Sequence, residues 1–450
     1  MSKRGYSAGA VMPGSQAFRR QRGLTLLELM VAMVLGLLVS GGIVALFSAT
    51  SQTNRVQAAL SRVQENGRFA MGRMEADLRM AGALFRQTAG TKNWMPRAQA
   101  ALLPRNAVLV NATGFVVRDM GTETGRLAGW TNAEVYPLSA AYFMRGYECG
   151  TGTCTPTVPT GANGFPVAGT ALGNRVVGTD VLTLKYVRGI GWSYTVPANA
   201  TGYGAVFTVD TTSGDGTPNF VTGDLVLVSD CSGSSPMIFR ATVAGATITP
   251  TAASLIQPAQ LRPGTGDANC DARLFNFSRD FVSVSYWLQL AADANPDAVG
   301  RLIPTLMRSE NGVAQEVAQG VERLDFLYGV AMMSNGGMAY LDATQVSASS
   351  NAVNCPQPSS DFERVFVAPY TWREPDCLWR SLRSIEAHGL FNTVDEFGAM
   401  SGPDMAYWYS VDGGTGPVTP GATMPVTGRP TGRMIRREFV SLVSIRNGSN

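Results

Sequence analysis

The feature that most constrains this chain is the run Leu24 to Phe47, LTLLELMVAMVLGLLVSGGIVALF: 24 residues, one charge, at Glu28. At 1.5 Å per residue such a helix spans about 36 Å, enough for a tilted crossing of a hydrocarbon core of roughly 30 Å. A secretory signal has an apolar stretch of only about 7–15 residues with a small-residue cleavage site after it. Here the run is longer, and the one plausible junction, Arg22-Gly23-Leu24, precedes it. Residues 1–23 carry Lys3, Arg4, Arg19, Arg20 and Arg22 and no acid. That flank predicts a cytoplasmic N-terminus, with everything beyond Phe47 translocated. The expectation is a single-span protein with a large outside domain.

The same flank accounts for the net charge. The chain has 36 basic and 33 acidic residues, but without the first 23 the balance is 31 to 33, or −2. A translocated part that is slightly acidic, with dispersed arginines, argues against direct nucleic-acid binding. Charged residues make only 15% of the chain where an ordinary soluble domain has roughly 25%. Fifty glycines and 24 prolines predict many turns between short strands.

Glu28 is costly, because a carboxylate at the centre of a membrane helix is penalised by roughly 2.5–3.5 kcal/mol on insertion scales. Its surroundings give it a purpose. Arg22-Gly-Leu-Thr-Leu-Leu-Glu28 resembles the processing site of type IV prepilins: a basic leader, Gly, an apolar residue that becomes the first, and Glu fifth. The resemblance implies cleavage between Gly23 and Leu24 by a prepilin peptidase, N-methylation of Leu24, and docking of subunits through Glu28. Leu stands where the family usually has Phe. An amine and a carboxylate that are each penalised in lipid can neutralise one another between neighbouring subunits.

Beyond Phe47 the helical pattern continues. Val56, Leu60, Val63, Ala70, Met74, Leu78 and Ala81 recur at gaps of three, four or seven, and Arg55, Arg62, Glu65, Arg68, Arg73, Glu75, Asp77 and Arg79 fall between them as a polar face. Gly67 and Gly72 each weaken a helix by roughly 1 kcal/mol relative to Ala and predict a kink. Gly36, Gly41 and Gly42 interrupt the apolar half in the same way. The stretches Leu60 to Met71 and Glu75 to Gly82 resemble the helix of PilW-type minor pilins. So do Gly178 to Tyr186, Gly320 to Gly329, Trp379 to Phe391 and Phe439 to Asn447, in the family's order.

After Gly82 the pattern shortens to strands: Phe115–Arg118, Asp180–Val187, Gly204–Val209, Asp224–Ser229, Met237–Val243, Asp280–Leu290, Val321–Tyr328, Arg383–Phe391 and Arg437–Ile445 are predicted. The expected fold class is α+β and pilin-like: a long N-terminal helix packed on an antiparallel β-sheet head with long loops. The expected organisation is a leader at 1–23, a transmembrane and polymerisation helix at 24–47, its amphipathic continuation at 48–82, and a β-rich head at 83–450 with insertions at 83–177 and 335–378.

All six cysteines, Cys149, Cys154, Cys231, Cys270, Cys355 and Cys377, lie in the translocated part, where disulfides form. Pairing of sequence neighbours gives 149–154, 231–270 and 355–377, one of fifteen connectivities. With one His and no C-x-x-C, a metal site is not expected. The loop from Asp210 to Gly216 lacks the ligand spacing of an EF-hand and reads as a turn. No phosphate-binding loop, G-x-S-x-G or H-E-x-x-H occurs. Asp361, Glu363, Asp376, His388 and Asp395 show no catalytic spacing, and His388 reads as an ordinary strand residue. Neither an enzyme nor a cofactor is expected. Of the late aromatics Tyr370, Trp372, Trp379, Tyr407, Trp408 and Tyr409, core packing is the expectation, with Met405 to Ser410 as the tract to examine as a partner surface.

The resemblance implies a minor pilin that primes type IV pilus assembly near the tip, serving twitching motility, adhesion or DNA uptake. Its implied partners are other minor pilins, the major pilin, the prepilin peptidase, the inner-membrane assembly platform and a tip adhesin. Two alternatives stay open: a minor pseudopilin of a type II secretion system, and a membrane-tethered adhesin or binding module that needs no cleavage.

Overall fold

The computed structural model describes residues 25–81, 108–110, 144–160, 164–196, 206–214, 216–229, 237–251, 272–293, 301–331, 338–348, 379, 382–397, 400–414, 416–420 and 432–445. The chain divides into two compact units, one ending at Ala58 and one running from Ala59 onward. Helix α1, Leu26–Met80, contributes to both. It runs without a break through all five glycines, so none of them ends it.

In the second unit the strands are β1 (Val108–Val110), β2 (Met144–Cys149), β3 (Cys154–Thr155), β4 (Val181–Val187), β5 (Tyr194–Thr195), β6 (Phe207–Val209), β7 (Leu225–Ser229), β8 (Met237–Ala244), β9 (Thr247–Pro250), β10 (Arg273–Asn276), β11 (Phe281–Ala292), β12 (Leu302–Glu310), β13 (Val313–Gln319), β14 (Val321–Ala331), β15 (Met338–Leu341), β16 (Leu382–Asn392) and β17 (Arg436–Ser444). Two short helices join them, α2 at Phe277–Asp280 and α3 at Ala343–Ala348. They form three sheets: β13-β12-β11-β4-β2-β3, β15-β14-β16-β17, and β10-β7-β8-β9-β6-β5 with β1 beside β8. Among the described residues every pairing of these strands is antiparallel except β1 with β8, as expected for an α+β head. The strand expected at 115–118 lies outside the described residues.

The first two sheets and the lower part of α1 enclose one core. Val63, Ala70, Met74, Leu78 and Ala81 are buried against Leu182, Leu184, Val284, Tyr286, Leu324, Phe326, Ile385 and Val443. The period-two face expected for β11 is present: Val282, Val284, Tyr286, Leu288 and Leu290 are all buried there. Its opposite face is covered as well, by a smaller cluster in which Phe165 meets Trp287 edge-on at 5.5 Å. The third sheet has its own core of Trp192, Phe207, Phe239 and Leu274.

Gly67 does not serve as a hinge. A Cβ there would lie 2.4 Å from the ring of Phe439 on β17, so the missing side chain lets the ring press on the helix. Gly72, by contrast, faces open space.

Candidate functional site

The first turn of α1 is built from its own sequence. Thr25 sits at the N-cap and Glu28 three residues on. The Thr25 amide donates to the Glu28 carboxylate at 3.0 Å, and the Glu28 amide donates to Thr25 Oγ1 at 3.2 Å. This is the reciprocal capping box, which satisfies two of the donors that a helix start leaves open. Sequence reading treated Glu28 only as a docking group; the T-x-x-E spacing was the available signal. Gly23 and Leu24 lie outside the described residues.

From Leu26 to Thr50 every side chain is exposed, including Leu26 at 76% and Phe47 at 76%. A monomeric soluble protein does not leave such an apolar surface to water. Among the described residues α1 is long and apolar enough to cross a membrane.

Further along, within the second unit, the helix is held by a buried ion pair. Asp77 was placed on the polar face by its sequence setting; the structure corrects this, because it lies on the buried stripe, three residues after Met74, and is 4% exposed. Its carboxylate accepts from Arg308 Nε at 2.7 Å and Nη2 at 3.2 Å, from the Tyr186 hydroxyl at 2.9 Å and from the Tyr286 hydroxyl at 2.6 Å. Arg308 also donates to Glu310 at 2.9 Å, and Glu310 accepts from Arg188 at 2.8 Å. Burial opposes the Asp77 charge, but the hydrogen bonds from Arg308 and Tyr286 outweigh it and hold the carboxyl below its ordinary range. Burial beside Asp77 pushes the Tyr286 hydroxyl up, so it remains a donor. One carboxylate on the helix thereby engages β4, β11 and β12 together. An acid in phase with the apolar stripe was the sequence signal for it.

Two further buried carboxylates tie strands together, the first between two sheets and the second within one. Asp180 accepts the Cys149 amide at 3.0 Å and the Phe326 amide at 3.1 Å, linking β2 to β14. Burial, with Asp342 and Asp325 nearby, pushes the neighbouring Glu148 up to about 7, and burial beside Glu148 and Asp325 pushes Asp180 up as well. Glu322 takes a bidentate pair from Arg436 at 2.7 and 3.0 Å and a bond from Asn392 at 2.7 Å, fixing β17 to β14.

Cys149 and Cys154 form a disulfide, the first of the neighbour pairings expected. Arg175 lies over it, 3.4 Å from one sulfur and 3.2 Å from the other. Cys231, Cys270, Cys355 and Cys377 lie outside the described residues. His388 is a buried residue of β16, with Nδ1 3.0 Å from both Glu438 and Ser410. Asp210 caps its own turn through Thr212. Of the late aromatics, Tyr407 and Tyr409 are buried against Leu390, Trp379 is buried in the main core, and Trp408 is 46% exposed. Tyr370 and Trp372, like Asp361, Glu363 and Asp376, lie outside the described residues.

Residues 18–44 match the prokaryotic N-terminal methylation motif. Residues 286–447, from the middle of β11 through β17, match the family Type IV Pilus-assembly protein W. Both matches are consistent with a PilW-family type IV pilus minor pilin. The PilW match contains Arg308, Glu322 and Arg436, so the partner that anchors Asp77 belongs to the matched region. Families of this kind are structural components of the pilus rather than enzymes, and they work in contact with other pilus components. The apolar helix and the prepilin motif fit a membrane-anchored pilin that later enters the pilus. No curated protein and no solved structure matches the chain.

Proposed function

We propose that this pilin is made as a precursor with residues 1–23 as leader, is cut between Gly23 and Leu24 and methylated on Leu24, and waits in the inner membrane with its head in the periplasm. It is then drawn into a pilus, where it joins other minor pilins to prime assembly and stays at or near the tip. The work is mechanical. Residues 24–47 trade lipid for the helices of neighbouring subunits, Glu28 guides that docking, and the head carries the contacts that choose partners. The observation that carries this reading is the apolar surface of Leu26 to Phe47, exposed throughout and overlapped by the methylation-motif match at residues 18–44. A membrane-tethered adhesin acting alone would need a membrane span but no cleavable leader.

Replacing Gly23 with Val tests it. The expected result is a chain retaining its leader by mass, with surface pili lost; normal fibres built from the uncut chain would overturn the proposal. Immunogold labelling should place the head at fibre ends, and even labelling along shafts would remove the tip assignment. Deleting the chain separates the pseudopilin alternative, which loses exoprotein secretion with pili intact.

A further inference from the structure

The part of α1 that the head holds has a second face. Its buried stripe runs through Val63, Ala70, Met74 and Leu78, and the side turned away carries Arg62, Glu65, Arg68, Phe69, Gly72, Arg73 and Ala76. Arg62, Arg68 and Arg73 are exposed, and none enters an ion pair among the described residues; Arg79 is engaged with Glu75. Glu65 is the one acid against these three arginines, leaving the face at +2. Phe69 stands among them with 61% of its surface exposed. At about 100° per residue, Arg62, Phe69, Arg73 and Ala76 fall within roughly 60° of arc, so the ring lies in one row with two guanidinium groups.

We propose that this row is a docking strip for an acidic helix of a different pilin, and that it disfavours a second copy of this chain. The inference rests on the proposed role in pilus assembly and names the partner's chemistry. Two copies meeting through this row would bring four arginines together, with Glu65 at its edge and Arg68 about 100° round the helix from Phe69. Unmatched like charges repel, and more strongly where packing excludes water. A partner with Asp or Glu at helical spacing reverses that sign, and an exposed aromatic flanked by arginines is the residue type that anchors interfaces. Charge complementarity of this kind selects the partner more than it adds affinity. The chain would therefore occupy a position whose neighbours are other subunits.

The test uses the full chain in fibre-forming cells, with a photo-crosslinking phenylalanine analogue in place of Phe69. The expected product is an adduct to a different pilin, at a helical residue with Asp or Glu within one turn. Replacing Arg62, Arg68 and Arg73 together with Glu should lower its yield about tenfold or more, and replacing them with Lys should keep it within about twofold. Thermal melts of both triple variants should match the parent, since all three sites are exposed. An adduct to a second copy, an adduct to lipid, no adduct, or a yield indifferent to charge reversal would each overturn the proposal. Fibres that still require Gly23 cleavage alongside a failed crosslink would leave the assembly reading standing and remove only the docking strip.

Discussion

Replacing Asp77 with Asn is the most informative single perturbation of the head. The change preserves shape and removes the charge that four hydrogen bonds converge on. Arg308, whose side chain is only 5% exposed, then keeps one carboxylate partner, Glu310, which is 30% exposed. Breaking one side of a buried pair costs about 3–5 kcal/mol. Glu310 relieves part of this, so the lower end, about 3 kcal/mol, is the expected loss. For a unit of this size that is a fall in melting temperature of about 4 °C. Full-length protein in detergent, followed by tryptophan fluorescence in urea, measures it. The pH dependence has a definite sign. A carboxyl whose folded pKa is depressed stabilises the protein above its unfolded value, near 3.8, and that contribution disappears as pH falls through the folded pKa. The gap between parent and variant should therefore be full at pH 7 and close below pH 4. Adding Arg308→Met should recover part of the loss, because it removes the buried guanidinium left without its main partner. A loss under about 1 kcal/mol, or a double variant no better than the single, would refute the anchoring argument.

Three further outcomes are expected. Gly67→Ala should destabilise by about 1–2 kcal/mol, because overpacking against Phe439 exceeds the helix-propensity gain, whereas Gly72→Ala should stabilise by up to about 1 kcal/mol; chemical denaturation of the pair checks the opposite signs. Glu148 is raised to about 7, so the stability it lends is complete below its ordinary 4.5 and is lost as pH rises through about 7. Glu148→Gln should flatten that slope and raise the melting temperature at pH 8, and an unchanged pH profile would count against the raised Glu148. Replacing Cys154 with Ser opens a short loop and should cost about 2 kcal/mol, read by comparing melts with and without reductant.

The helix, its buried stripe and eight of the strands were legible because each repeats a period longer than its errors. The hairpin of β12 and β13 was missed although its turn announces itself: Asn311 and Gly312 both adopt positive φ, 50° and 84°, the two-residue turn that Asn-Gly favours. What hid it was Leu302 to Glu310, where Pro304 and a string of mixed polarity blur the alternation. β15 and β10 are four residues each, too short for period two to stand out. Asp77 was misplaced because an acid among arginines reads as surface. Only its tertiary partners, Arg308 in particular, 231 residues on, give it a reason to be inside. Gly67 was taken for weakness where it provides room, since a side chain 372 positions away, Phe439, fills the space. Sequence periodicity reports which face is buried but not what stands opposite it.

The first turn of the helix sets terms for any neighbour. Glu28 is already bonded to Thr25 through both backbone and side-chain donors, and removal of everything before Leu24 would leave that arrangement whole. An incoming subunit cannot simply collect an idle carboxylate; it has to win it from its own chain, against the bonds Thr25 already makes. Recruitment is then an exchange with a threshold, and a chance encounter in the lipid that offers less than Thr25 does would slide past.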